Sequence, residues 1–340
     1  MCRVVAMASP RPREAPHSGI PAPGPPRRVA THPSRQVPPM RQHLFAAVLA
    51  AAILTLAAPP PAHAERVTDF RMPVVVQGVD YDLVARVYRP TGPGPFPLIV
   101  IHHGTPADKR KLADTRLGFA RAARWFVARG YMVVLALRPG YGGSSGTYLE
   151  GAGNCHDVDF VVAGHKIAAA EASIVDAAAR LPGADPQRIV VVGQSAGGLG
   201  AVALADAPPP GVRGVISFAG GRGSNGKEVI CAGEDRLVEA EKTLGAANML
   251  PQLWLYAEND HFFRRDLAHR MYEAYRAGST PPVTFVDLPP FGDDGHKTFA
   301  QADPSVWATP VAAFLAQVLP QAAKAPAQAG LAPAMEAPAK

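Results

Sequence analysis

The segment that most constrains this chain runs Arg188-Ile189-Val190-Val191-Val192-Gly193-Gln194-Ser195-Ala196-Gly197-Gly198. An apolar, β-branched run stops abruptly in G-x-S-x-G and passes into a small-residue, helix-compatible stretch, Leu199–Ala207. Strand, sharp turn and helix in that order hold a serine out above a sheet as a nucleophile. Such a turn leaves no room for side chains on either side of the serine, and Gly193 and Gly197 supply none. Ser195 is therefore the candidate nucleophile, with the Ala196 N–H beside it as a candidate oxyanion donor. Gly142–Gly146 spells the same pattern around Ser144. No strand runs directly into it and no helical pattern follows, so it reads as a turn.

The remaining chain alternates strands and helices. Val67–Gln77 and Tyr81–Tyr88 read as a hairpin, and Leu98–Ile101 as a short buried strand ending in His102-His103-Gly104-Thr105. Apolar spacing predicts a helix over Ala113–Arg129, stopped by Gly130, then a strand over Tyr131–Leu137. A Gly-rich loop, 139–153, leads to a helix over His156–Leu181. After the serine come a strand (Val212–Phe218), a polar insert (Gly220 to about Asn248) and another strand (Gln252–Ala257). A helix (Arg264–Ala277), a strand (Val283–Leu288) and a closing helix (Ser305–Val318) follow. This order predicts an α/β fold with a largely parallel sheet covered on both faces, in one catalytic domain over 65–320.

A serine hydroxyl needs a base to take its proton and a third group to orient that base. Catalytic groups in such sheets collect beyond the carboxyl ends of strands. Gln252–Ala257 ends in Glu258-Asn259-Asp260, and Val283–Leu288 runs into a loop holding Gly295-His296. His296 is the candidate base, against a plain surface histidine. Asp260 is the candidate orienting acid, with Glu258 its rival, while Asp293 and Asp294 read as turn residues. His261 reads as a structural neighbour. The second oxyanion donor is expected from the loop after Leu98–Ile101, at the Thr105 N–H, with His103 as pocket wall the alternative and His102 packed inside. His156-Asp157-x-Asp159 and Asp260-His261 lack metal-site spacing and read as solvated or helix-start groups. Neither a P-loop nor a dinucleotide fingerprint is present, so no cofactor is expected.

The net charge of +6 suggests a polyanion or membrane surface, but its distribution removes the suggestion. Residues 1–64 hold seven arginines and one acid, leaving 27 basic and 27 acidic side chains beyond them. Nothing there argues for nucleic acid. Residues 1–39 are Pro/Arg/Ala-rich and are expected to be disordered, an extension ahead of a start at Met40. Arg41-Gln42-His43, the apolar run Leu44–Ala58 and Ala62-His63-Ala64 read as a secretory signal peptide over 40–64, cleaved after Ala64. The run is short for a bilayer span, so no stable membrane insertion of the mature chain is expected. The Ala/Pro/Gln tail, 321–340, is expected to be disordered. Export to a periplasm or beyond leaves Cys155 and Cys231 as an even pair in an oxidising compartment, readable as a disulfide or as two buried thiols.

With Ser195, Asp260, His296 and His103-Gly104 in place, the chain resembles the α/β-hydrolase superfamily over nearly its mature length. Within it, the chain looks most like dienelactone-hydrolase-related and prolyl-oligopeptidase-like enzymes. The elbow followed by Gly198, the strand end Tyr256-Ala257-Glu258-Asn259-Asp260 and the Gly295-His296 pair carry that likeness. The resemblance implies a mostly parallel eight-stranded sheet and cofactor-free acyl-enzyme hydrolysis. Its strand order implies that the loops of Cys155 and Cys231 leave one sheet edge three inter-strand steps apart, roughly 14–15 Å. A disulfide would then arch over the site and pin loop 139–153 to the insert 220–248. The expected substrate is a small carboxylic ester or lactone. A serine peptidase is the alternative, with Glu228, Glu234 or Asp235 anchoring a peptide amino terminus, and a catalytically silent binding protein comes third.

Overall fold

The computed structural model describes residues 65–320. The expected leader, signal peptide and C-terminal tail lie outside the described residues. Eight strands form one sheet: β1 (Glu65–Val76), β2 (Val79–Pro90), β3 (Phe96–His102), β4 (Met132–Ala136), β5 (Ala184–Gln194), β6 (Val212–Phe218), β7 (Gln252–Ala257) and β8 (Val283–Leu288). Their spatial order is β1-β2-β4-β3-β5-β6-β7-β8. The hairpin pairs β1 with β2, and β2 with β4, antiparallel; every pairing from β4 to β8 is parallel. The sheet is thus mixed, with its parallel part carrying β5 near the centre.

The central strand shows why the apolar run had to be a strand. Ile189, Val190, Val191 and Val192 are each fully buried. Side chains alternate between the two faces of a strand, so an unbroken apolar run is what a strand covered on both sides requires. Ile189 and Val191 join one core with helices α2 (Phe160–Ala179), α3 (Ala196–Leu204), α4 (Glu234–Ala246) and α5 (Arg265–Gly278). Val190 and Val192 join the other, with α1 (Ala120–Val127) and α6 (Ala308–Val318).

Local departures from expectation have local causes. The helix expected from Ala113 begins only at Ala120, because Phe119 takes φ 61° and breaks the run. Asp159 starts α2 by accepting the Val162 N–H at 2.9 Å, four residues later than the periodicity suggested. The polar insert after β6 contains a full helix, α4, whose Leu237, Ala240 and Leu244 are buried while its outer face is charged. β5 begins at Ala184, since Ala184 and Asp185 pair with Phe96 and Pro97 across a register shift.

Candidate active site

β5 ends and α3 begins at Ser195, which stands at φ 56° and ψ −124°. Few non-glycine residues occupy that region, and cores tolerate it only where surrounding structure enforces it. The flanking contacts show the enforcement. A Cβ on Gly193 would lie 2.1 Å from the Gly197 carbonyl oxygen, and one on Gly197 would lie 2.5 Å from that of His103. The Ser195 N–H is held by the Phe218 carbonyl at 3.0 Å. As the first residue of α3, Ala196 has an N–H with no intrahelical acceptor, free to serve an oxyanion.

The end of β7 places the two acids differently. Glu258 is exposed, whereas Asp260 is 2% exposed. Asp260 Oδ1 accepts the Phe262 and Phe263 N–H groups at 2.7 and 3.0 Å, and Oδ2 accepts His296 Nδ1 at 3.0 Å. With Nδ1–H committed to Asp260, Nε2 carries the lone pair, the form a general base needs. The His296 ring stacks on Phe262 at 4.1 Å. Its backbone is held at both ends, by Asp294 accepting its N–H at 3.0 Å and by Gln194 Nε2 donating to its carbonyl at 2.5 Å. Asp294 is thus a turn-former for the histidine loop. His296 and Ser195 line one cavity of about 430 Å³. The recorded hydrogen bonds of His296 go to Asp260, Asp294 and Gln194, not to the serine hydroxyl. Such bonds often tighten only when substrate is held.

The other histidines are occupied otherwise. Burial and then the Arg138 charge hold His103 down to about 3, so its ring is neutral. Its Nε2 accepts the Arg138 N–H at 3.1 Å, leaving the Nδ1 proton to be donated to the Gly104 carbonyl at 2.7 Å. His102 is fully buried with neither ring nitrogen partnered, and burial pushes it well below the ordinary histidine value. His261 is exposed beside Glu228 at 3.3 Å.

Thr105 sits where its loop meets Ser195, and its hydroxyl enters a buried polar cluster that pattern reading missed. Thr105 Oγ1 donates to Glu150 Oε2 at 3.1 Å and lies 2.6 Å from the Tyr141 hydroxyl. Arg138 Nε donates to Glu150 Oε1 at 2.6 Å, and its Nη1 to the His103 carbonyl at 2.6 Å. Burial alone would raise Glu150, but Arg138 foremost, and Arg222 after it, hold its carboxyl at about 2. Glu171, fully buried, lies 3.6 Å from Arg138 Nη1; both its carboxyl oxygens lack hydrogen bonds, and burial pushes it well above the carboxylate range. Two signals were available: an arginine directly after an apolar strand, and a glutamate inside the apolar run Ile167–Ile174. A charge in such a context is costly unless partnered.

Ser144 belongs to structure. Its hydroxyl donates to the Leu137 carbonyl at 2.7 Å and accepts the Val84 N–H at 3.0 Å, tying the Gly-rich loop to the sheet.

Cys155 and Cys231 are bonded, with Cα atoms 4.7 Å apart. Both line a second cavity beside Ser195, of about 220 Å³, together with Thr105, Ala196 and Arg222. The acids expected to anchor an amino terminus are engaged elsewhere. Glu234 binds Arg264 and Arg270 at 2.6 and 2.8 Å, Asp235 binds Arg270, and Glu228 meets His261.

The profile of the family described as X-Pro dipeptidyl-peptidase (S15 family) matches residues 78–307. No curated protein sequence matches the chain. Solved structures share its fold at low identity. An acetyl xylan esterase from Paenibacillus sp. R4 superposes with TM-score 0.53 at 13% identity, covering 76% of this chain and 89% of its own. Porphyromonas gingivalis dipeptidyl peptidase 4 gives 0.51 at 15%, covering 76% and 36%. A Mycobacterium tuberculosis puromycin-hydrolyzing peptidase gives 0.50 at 18%, covering 77% and 42%. The chain spans well under half the length of either peptidase.

Proposed function

The chain belongs to the X-Pro dipeptidyl-peptidase (S15) family of α/β hydrolases, and from that premise we propose that it is an exported serine hydrolase of small carboxylic esters or lactones. The observation that carries the reading is the Asp260–His296 pair, at 3.0 Å, on the cavity that also exposes Ser195 at its strained elbow. Ser195 Oγ attacks the ester carbonyl carbon while His296 Nε2 takes the hydroxyl proton. The Ala196 and Thr105 N–H groups receive the oxyanion. As the tetrahedral adduct collapses, His296 returns the proton to the departing alkoxide, leaving an acyl-serine. Water then attacks the acyl carbon, gives its proton to His296, and the carboxylic acid leaves as Ser195 is reprotonated. No cofactor enters these steps.

His296 lines only the larger cavity and Ala196 only the smaller. Because the histidine must reach the leaving oxygen, the leaving group occupies the larger cavity and the acyl group the smaller. The family description favours a second reading, removal of X-Pro dipeptides, in which a cationic amino terminus would sit on the acyl side. Among the described residues no carboxylate lines that side, which supports the ester reading over it. Export rests on the residues 40–64, and a disulfide suits an oxidising compartment.

The test is fluorophosphonate labelling of the full chain, then turnover of p-nitrophenyl esters and X-Pro-p-nitroanilides. Ser195→Ala should abolish labelling and cut ester hydrolysis on the order of 10³-fold or more. Labelling that survives Ser195→Ala refutes the assignment, and faster X-Pro cleavage than ester cleavage favours the peptidase.

A further inference from the structure

The acyl-side cavity has a chemical character that the hydrolase reading does not use. Its walls include Val158, Phe262, Phe263 and the Cys155–Cys231 bridge, and among the described residues its charged lining is Lys109 and Arg222. A pocket beside a nucleophile with two cations and no carboxylate is built to receive negative charge, provided those cations are not already neutralised.

Arg222 is not. Its side chain is 11% exposed. Nη1 donates to Glu150 Oε2 at 3.3 Å, and Nη2 donates to the Glu150 carbonyl at 3.0 Å and to the Tyr148 hydroxyl. Its hydrogen bonds among the described residues all come from Nη1 and Nη2, none from Nε. The single carboxylate it touches is shared: Arg138 holds the same Glu150 at the shorter distance of 2.6 Å. Arg138's other acid, Glu171, stands further off at 3.6 Å, and burial opposes its ionisation. Two guanidinium groups share Glu150, and of the two it is Arg222 that lines the cavity. Lys109 stands at the rim, exposed, its Nζ 5.3 Å from the centre of the Tyr148 ring and, among the described residues, in no ion pair. Tyr148 thus has a second cation nearby, with Arg222 5.8 Å from the same ring centre.

We propose that this cavity selects acyl groups bearing a negative charge remote from the ester carbonyl, so that the substrates are monoesters of short dicarboxylic acids, with Arg222 receiving the free carboxylate and Lys109 supporting it from the rim. The inference rests on the serine-hydrolase reading for its chemistry and narrows it to a substrate class. The apolar walls accept the methylene chain, and the disulfide limits its length. Two cations whose nearest counter-charge, Glu150, is shared with Arg138 disfavour a protonated amine at the same place, so discrimination comes from repulsion as well as attraction.

Three ethyl esters of matched length test it on the full chain, followed by pH-stat: ethyl hydrogen glutarate, ethyl valerate and ethyl 5-aminopentanoate. Charge-assisted hydrogen bonding at a largely enclosed guanidinium predicts a kcat/KM about tenfold or more higher for the glutarate than for the valerate, with the amine slowest. Arg222→Gln should reduce the glutarate-to-valerate ratio at least tenfold, mainly through KM. Lys109→Gln and added sodium chloride should each reduce it a few-fold. Should Arg222→Gln not fold, Lys109→Gln, which removes no hydrogen bond, and the salt series decide the matter. A preference that neither reduces overturns the proposal, as does equal or faster turnover of the valerate or amine ester. Calorimetry of glutarate binding to Ser195→Ala separates this inference from the reading beneath it. Glutarate binding that Arg222→Gln weakens, with no ester hydrolysed by the wild type, keeps the anion site and retires the esterase. Ester hydrolysis without preference and without glutarate binding does the reverse.

Discussion

Replacing Glu150 by Gln should loosen the support of Thr105 and change how the fold responds to acid. Oε1 of Glu150 receives Arg138 at 2.6 Å, and Oε2 receives Tyr141 at 2.7 Å, Thr105 at 3.1 Å and Arg222 at 3.3 Å. An amide has one acceptor oxygen, so whichever way it turns, its NH₂ meets a guanidinium donor. The carboxyl sits at about 2 in the fold against an ordinary 4.5. A depressed value contributes stability that is complete above pH 4.5 and lost as pH falls from there towards 2. The gap of about 2.5 pH units corresponds to about 3 kcal/mol at pH 7. Glu171 offers a fallback: 3.6 Å from Arg138, it can ionise and take over part of the pairing once Glu150 is gone. The single variant should therefore lose somewhat less than about 3 kcal/mol, and Glu150→Gln/Glu171→Gln about 3–5 kcal/mol, the cost of stranding a buried charge. Urea unfolding followed by tryptophan fluorescence at pH 7 and pH 3 reads both. Wild type should lose more stability on acidification than Glu150→Gln. Equal acid sensitivity of wild type and single variant, with a double-variant cost below about 1 kcal/mol at pH 7, would refute the argument. Turnover should fall with Thr105's anchor, in kcat more than in KM.

Asp260→Asn should lower kcat by about 10³–10⁴-fold, because the amide can donate to His296 Nδ1 and favour the wrong tautomer. Glu258→Gln, at an exposed position, should leave ester turnover within about twofold in the same assay. Removing the bridge in Cys155→Ser/Cys231→Ser opens a loop with a sequence separation of 76. That should cost about 4 kcal/mol in the chain-entropy account, read by denaturant unfolding, while an ester panel shows longer acyl chains accepted. Thiol titration of the exported protein, from which the leader with Cys2 has been removed, should find no free thiol after denaturation without reductant. Ser144→Ala should leave fluorophosphonate labelling intact yet cost about 1–3 kcal/mol, since the Leu137 carbonyl and Val84 N–H lose their partner.

What was legible in the sequence was whatever a short window decides. The run Ile189–Val192 reads as a strand buried on both faces because neither side of it offers a polar residue. Gly193 and Gly197 mark the elbow because contacts with their own turn and with the next loop forbid a Cβ. The same window separated Ser195 from Ser144, since only one of the two follows a strand and precedes a helix. His296 was readable as a histidine in the loop after the last strand. Other features depended on partners far away in the chain. Glu258 and Asp260 sit at the same strand end, and only the packing of that end against the histidine loop buries one and exposes the other. The helix in the insert carries its apolar face at a spacing that its charged residues obscured. Arg138 and Glu150 lie on a strand end and a Gly-rich loop, each an unremarkable charge until folding removes the water around both. The lack of a carboxylate among the described residues lining the smaller cavity is equally invisible in sequence, where Glu228, Glu234 and Asp235 stand close enough to serve; in the fold each faces a basic side chain. Periodicity and turn chemistry act over a few residues and can be read in order, whereas burial, charge pairing and the lining of a cavity exist only once distant segments have displaced the solvent between them.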